Sequence, residues 1–425
     1  MCLEFIHRQY VMACRRIERK ADHLQRTRTR RVHQCVEYRL TFLLPSHFLG
    51  AAGNAIAEDV LSEVSTLENE YFNNWSQGAE QAAKALGLNY RILSGKGDAA
   101  KQIEIYEAQF GAGVRITFGE NLVAANIKPI VEMAKKVGAV HVAVWESLPG
   151  FHPLDAGPDN YAFATFFSPD DVENSYRIAK LLFDKIGGKG SVAHITGFPG
   201  VDADISRTAG FDKALAEYPN IKLVARQPGK WNQVDARKVM EDLLVAHSTI
   251  DAVFGQNDSI ALGAMQAVED AGMHIPIVGL DGNRETLKLV KEGRILATMG
   301  FTPQWQAGYA LVRAYDVAKG FKPSPCERMM YTGATLITAQ NVDKYQAFLA
   351  GEKLPFDWRK MSRVLHPNDW DAQNYVWPID VKTYWGARTP AGYKFPKAYQ
   401  DAVDGGCVDQ LKAEYNSHHH QRIPE

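Results

Sequence analysis

The side chains of this chain best suited to recognition stand where apolar runs stop. Asn257-Asp258 follows Ala252-Val-Phe-Gly255, and Asp281 follows Ile277-Val-Gly-Leu280, with Gly282 making a turn. Arg207 precedes Thr208-Ala-Gly-Phe211 at the predicted start of a helix. Amide, carboxylate and guanidinium groups can each make paired hydrogen bonds to adjacent hydroxyls, which is the chemistry of holding a small polyhydroxylated ligand. Tyr71, Phe72 and Trp231 fall between predicted elements, where an aromatic face could cover the C–H face of a sugar ring. Each has a structural alternative. Asp281-Gly282 could be only a turn. Asn257 could cap the following helix, although Asp258 or Ser259 could take that place and leave it free. Arg207 could lie on a helix surface, and the three aromatics could be core.

Catalysis finds little support. No G-x-S-x-G or H-E-x-x-H pattern occurs, so no enzyme chemistry, metal or cofactor is expected. His418-His-His420 is three consecutive side chains pointing in different directions, and we read it as incidental. Asn74-Trp-Ser76 fits a glycosylation sequon and is likewise read as incidental. One enzyme reading has a physical basis. Gly95-Lys-Gly-Asp-Ala-Ala100 follows a strand-like run, and Glu120 stands at about the distance of a ribose-binding acid, as in an NAD-dependent enzyme. Against it, Asp98 would put negative charge beside the phosphates.

The elements that must position these groups alternate. Strand-like runs at Ser191–Thr196, Ile221–Arg226, Asp251–Phe254 and Pro276–Leu280 are separated by segments of helical period such as Ile260–Val268. Strands alternating with helices imply an α/β chain with parallel sheets, because parallel strands need a crossover. Ligands of such sheets sit beyond the carboxyl ends of the strands, which is where the polar groups above are found. The region after about residue 335 is rich in Trp, Tyr and Pro with weak periodicity, and reads as an extension wrapped on the surface.

Composition narrows the class further. The 425 residues carry 48 Lys+Arg against 49 Asp+Glu, so a general nucleic-acid binder is not expected. No run of about 18 apolar residues suggests a multi-span membrane protein. The near-neutral total hides a basic segment over residues 1–40, with ten Lys+Arg and four Asp+Glu. Leu40–Leu49 is apolar and is followed by small residues ending in Ala55-Ile-Ala57, the order of a secretory signal. We expect cleavage after Ala57 and a periplasmic product. Only Cys326 and Cys407 would then remain. A disulfide is open to them in an oxidising compartment, but spacing does not show that they meet, and two unpaired thiols are expected.

Four blocks in this order resemble a known family, the periplasmic sugar-binding proteins of ribose-binding type. They are Arg207-Thr-Ala-Gly-Phe-Asp-Lys-Ala-Leu215, Ile250–Ala267, Ile277-Val-Gly-Leu-Asp-Gly282, and Ile295-Leu-Ala-Thr298 followed by Pro303. The resemblance runs from Thr66 to Thr335. It implies an α/β fold of two doubly wound parallel-sheet lobes joined by three hinge crossings and closing over a ligand. The first lobe would span 58–165 plus 302–335 and the second 166–301, with 1–57 as the basic segment and 336–425 as the extension.

By position, the resemblance implies that Tyr71, Phe72 and Glu146 hold ligand from the first lobe. Arg207, Trp231 and Asn257 would hold it from the second, with Asp281 and Phe301 near the lobe junction. Two positions depart from the pattern: Phe301 stands where the family often has Gln, and Ser147 where Arg is common. Trp145, inside its apolar run, reads as core. The implied protein is a monomeric receptor that delivers a sugar or polyol to an ABC permease, without cofactor. A sugar-responsive transcription regulator shares the same core, but Arg26-Thr-Arg-Thr-Arg-Arg31 offers no apolar face for a DNA-binding helix pair.

Overall fold

A computed structural model describes residues 58–420 and 422–424. The basic segment and its expected cleavage after Ala57 lie outside the described residues. The strands are β1 (Asp59–Val64), β2 (Asn89–Ser94), β3 (Ile116–Glu120), β4 (Val140–Val144), β5 (Phe163–Pro169), β6 (Lys189–Thr196), β7 (Asn220–Pro228), β8 (Ala252–Gly255), β9 (Ile277–Asp281), β10 (Ala297–Gly300), β11 (Met329–Thr332), β12 (Thr335–Thr338) and β13 (Val376–Pro378). They form two sheets, ordered β13-β11-β5-β4-β3-β1-β2 and β12-β10-β9-β8-β6-β7. All pairings are parallel except those of β12 with β10 and of β13 with β11. Every residue of β4, β5, β8, β9 and β10 is buried. Helices cover both faces of such a sheet, so its central strands lose the in–out alternation. This is the fold of two doubly wound lobes that the sequence implies.

The chain crosses between lobes four times: the three implied crossings lie between Pro169 and Asp171, between Gly300 and Pro303, and between Thr332 and Thr335, and the C-terminal region adds a fourth between Leu349 and Val376. The first crossing comes after residue 165 because β5 continues to Pro169 alongside β11. The helix Glu70–Leu86 begins earlier than expected, since the Asn69 side chain accepts from the Phe72 amide at 3.0 Å. Tyr71 and Phe72 therefore sit in its first turn and not in a loop. That helix packs closely on the helix Pro303–Ala318: a methyl group on Gly78 would lie 1.8 Å from the Gln304 carbonyl oxygen. The close approach brings Tyr71 to Gln306.

The C-terminal region differs most from expectation. It is woven into the fold, not laid on it. β12 extends the second lobe's sheet and β13 the first lobe's. Trp358, Trp370 and Trp385 are buried. Cys326 and Cys407 form a disulfide, contrary to the expected free thiols. They meet because the turn Pro325–Arg328 and the last helix, Cys407–Ser417, pack around one buried acid. Glu327 lies 3.6 Å from Arg313, 2.7 Å from Arg363 and 2.9 Å from the Tyr415 hydroxyl, which donates to it. The staple fixes the end of the chain to the first lobe.

Candidate functional site

The carboxyl ends of the strands of both lobes face each other across a closed cleft, and one cation stands at its centre. Arg207 lies in the second turn of the helix Asp202–Leu215, which starts five residues before it. Its guanidinium carbon is 5.4 Å from the Trp145 ring centre, 5.4 Å from Trp231 and 5.0 Å from Phe301. Arg207 donates through Nε to Asp171 at 3.2 Å and through Nη1 to the Gln256 carbonyl at 2.7 Å. Gln256, at the end of β8, also accepts from the Gly197 amide at 2.8 Å and donates to Thr208 at 2.9 Å. It thus ties the loops after β6 and β8 to the helix that carries Arg207. Trp231 stands in the turn before the helix Gln233–Ala246, and its indole edge lies against Gly197, where a methyl group would come within 1.8 Å of the ring.

Two acids of the second lobe, Asp171 and Asp281, act on this cation, and a third, Asp258, lies beside Asp281. Burial pushes Asp171 up to about 6, against the pull of Arg207. Burial likewise pushes Asp258 up to about 6, opposed by hydrogen bonds from Thr298 at 2.6 Å and the Asn283 amide at 2.7 Å. Asp281 is driven well above the usual carboxylate range, first by burial and then by the neighbouring charge of Asp258, with Arg207 acting the other way. Asp281 thus shares its surroundings with two other carboxyl groups and one guanidinium. Asn257 does cap its helix, accepting from the Ile260 amide at 2.9 Å. Capping occupies its carbonyl oxygen.

The first lobe presents aromatic planes. Trp145 donates through Nε1 to the Tyr71 hydroxyl at 3.0 Å, and that hydroxyl donates on to Gln306. Trp145 meets Tyr71 and Phe301 edge to face, at 5.9 Å and 5.4 Å between centres, and Tyr71 meets Phe72 in the same way at 5.2 Å. Phe301 is fully buried at the second crossing. Trp145, read as core from the sequence, is part of this wall. It follows β4 with φ at 72°, a left-handed conformation that turns its ring toward the cleft. The signal that could have found it is its place at the very end of the strand.

Strained backbone collects at the same place. Among the described residues seven non-glycines have positive φ, and four of them, Trp145, Trp231, Asp281 and Thr302, border the cleft. Each such residue costs of order 1–3 kcal/mol and persists only where the surroundings force it, which is typical of ligand-holding sites.

Glu146 is drawn elsewhere. Both its oxygens accept from the Asp202 amide at 3.1 Å, so it faces the N-terminus of a helix in the opposite lobe. Burial and the Asp202 charge hold its carboxyl well above the usual range. Sequence reasoning missed Asp171, Gln256 and Gln306, which carry no motif of their own. It also gave no hint that Tyr384, Trp385 and Arg388 of the C-terminal region reach the rim of the cleft, where they bond to Asp202 and Ser147.

The stretch that resembled a dinucleotide site does form strand, turn and helix. Its helix N-terminus is filled by Asp98, which accepts from the Ala100 and Lys101 amides at 2.9 and 3.1 Å. The phosphate position of that reading is taken by a carboxylate. His418 stacks on Trp370 at 4.6 Å, whereas His420 bonds to Asp371. Among the described residues no group of three His, Cys, Asp or Glu side chains is placed to hold a metal.

Comparison with known proteins agrees with this geometry. A family model described as a periplasmic binding protein domain matches residues 64–322. The ribose import binding protein of Haemophilus influenzae is 30% identical over 288 residues, covering 67% of this chain and 94% of that protein. The xylitol-binding protein of Mycolicibacterium smegmatis is 30% identical over 279 residues, covering 65% and 76%. Among solved structures, a periplasmic solute-binding protein of an ABC transporter from Actinobacillus succinogenes, with D-allose bound, superposes with a TM-score of 0.62 at 28% identity, covering 68% of this chain and all of that one. These relatives are binding proteins and not enzymes. With a match over more than half its length, the chain belongs to the periplasmic binding protein domain family.

Proposed function

We propose that this chain is a receptor for a neutral sugar or polyol, which it holds between its lobes and delivers to an ABC permease, acting as a monomer in the periplasm without chemistry of its own. The observation that carries the reading is the cleft centre: one guanidinium framed by three aromatic rings, with the Asp171 and Asp281 carboxyl groups beside it. Rings of this kind cover the C–H faces of a sugar. A buried acid such as Asp281 can hydrogen-bond its hydroxyls, and Arg207 can donate to its oxygens. Three acids against one cation in the second lobe disfavour an anionic ligand such as a sugar acid or a sugar phosphate. Tyr71, Phe72 and Phe301 would supply the planes. Arg207, Trp231, Asn257 and Asp281 would supply the directional contacts, and Glu146 would act at the lobe contact. Ribose, xylitol and allose relatives support the ligand class, and Phe301 and Ser147, which replace two polar groups common in the family, favour a ligand other than ribose.

The test is a thermal-shift screen of the full chain against pentoses, hexoses, polyols and inositols. A ligand at 100 times its dissociation constant adds about 2.7 kcal/mol to stability. A shift with one class is expected, and Asp281→Ala should abolish it while leaving the ligand-free melting temperature near that of the parent. No shift with any sugar, from protein whose denaturing extract contains none, would overturn the reading.

A further inference from the structure

The C-terminal region lies beyond the matched residues 64–322, yet it supplies part of the contact between the lobes. The contact centres on Asp202, the first residue of its helix in the second lobe. The preceding Val201 has no side chain able to cap that helix. The first lobe supplies the missing acceptor, because Glu146 takes the Asp202 amide. The Asp202 carboxylate in turn enters a socket of four donors. Two come from Ser147 of the first lobe, its amide at 3.0 Å and its hydroxyl at 2.6 Å. The other two are the Tyr384 hydroxyl at 3.0 Å and Arg388, both from the C-terminal region. Arg388 also donates to the Tyr384 carbonyl at 3.0 Å, and Trp385 donates to the Ser147 hydroxyl at 3.2 Å.

This side of the socket belongs to the first lobe. The Tyr384 ring packs on Phe166 of β5 and Tyr331 of β11. Trp385 stacks on Phe395, and Tyr393 donates to Asp155 at 2.7 Å. The adjoining β13 pairs with β11, and the disulfide holds the end of the chain. A hinge motion that parts the lobes must therefore withdraw Asp202 from Tyr384 and Arg388 as well as from Ser147. Ion pairs and hydrogen bonds made only in one conformation shift the equilibrium toward it by their own free energy.

We propose that Tyr384 and Arg388 are positioning residues for ligand retention: together with Ser147 they form a catch for Asp202 that stabilises the closed form and slows ligand release. The catch rests on the two-lobed receptor reading for its purpose, but not for its detection. Three full-length proteins decide it: the parent, Arg388→Gln and Tyr384→Phe. Small-angle scattering without sugar reads the lobe opening, and stopped-flow displacement of the sugar found by screening reads release. Arg388→Gln should enlarge the ligand-free radius of gyration and speed dissociation about ten-fold, with the association rate little changed. Tyr384→Phe, which removes a single hydroxyl and spares the packing, should act in the same direction by a smaller factor. Unchanged scattering and unchanged release in both variants would overturn the proposal, as would a lowered melting temperature unaccompanied by either change. A parent protein that binds no sugar would sink the receptor reading, and the scattering comparison would still decide the catch.

Discussion

The two walls of the cleft are made of different material. The first lobe presents Tyr71, Phe72 and Trp145, uncharged rings whose polar atoms are bonded to one another and to Gln306. The second presents Arg207 with Asp171 and Asp281, a buried cation beside two buried acids, and Asp258 stands behind Asp281, held by Thr298 and the Asn283 amide. One wall is neutral and the other is built of buried ionisable groups. A satisfied aromatic wall sets shape, since rings discriminate by plane and width. A wall of polar and ionisable groups sets orientation and strength, since its hydrogen bonds are directional and those to charged groups are the stronger ones. Closure of one wall on the other is then favoured by the ligand itself, which alone meets both requirements.

The sharpest way to break this comparison is Arg207→Ala. The guanidinium is 3.2 Å from Asp171, and the side chains of both are almost fully buried. Removing it leaves Asp171 without its cation and the Gln256 carbonyl without its donor. Breaking a buried pair from one side costs about 3–5 kcal/mol. A large fall in melting temperature, together with lost sugar binding, is expected in calorimetry. A variant that melts like the parent would show that the second wall is not held together by this cation.

Gly197→Ala acts on the second wall more locally. The added methyl would stand 1.8 Å from the Trp231 ring, so the indole must leave its place beside Arg207. Trp231 is only half-buried, so the cost to stability should stay near the low end of the roughly 1–3 kcal/mol seen for overpacking. Ligand affinity should fall about ten-fold, the loss of one well-placed aromatic contact. Titration calorimetry beside a melting curve separates the two effects. Unchanged affinity would remove Trp231 from the ligand-holding set.

The same contrast explains what could be read from the sequence. Asn257 and Asp281 stand out because each closes an apolar run with a polar group, Arg207 because it stands at a predicted helix start, and the alternation of short strands with helices fixes where strand ends face. Trp145 does not stand out, because an aromatic at the end of an apolar run looks like more of the run. Only its left-handed backbone turns it into the cleft. Asp171 and Gln306 are hidden for another reason: they matter through partners 36 and 235 residues away, Arg207 and Tyr71, which spacing does not reveal. The C-terminal region is the least legible part. Its strands have three or four residues, its helices eleven at most, and it is held by Trp and Tyr packing and one disulfide.

A last comparison reaches beneath the two walls, where each lobe buries one histidine in a strand of its sheet. His141 of β4 contacts the Tyr106 ring, and burial lowers it to about 3. His194 of β6 lies against Phe211 and Phe254 and is also lowered, by burial first and by the Arg226 charge second. Both are neutral in the fold, whereas in the unfolded chain they take a proton below about pH 6.5. Their contribution to stability is therefore complete above that pH. It is lost as pH falls from about 6.5 toward the folded value, at about 1.4 kcal/mol per pH unit for each residue. Glu63, which burial raises to about 8, works in the opposite sense, favouring the fold as pH falls, but it is common to parent and variants and cancels in their difference. His141→Gln and His194→Gln should each flatten the acid limb of unfolding free energy against pH by the same slope, whatever constant offset the substitution adds. Equal flattening is the mark of two lobes that unfold in one transition. Curves parallel to the parent's would mean that these rings are protonated in the fold and that the two cores are not as dry as their burial indicates.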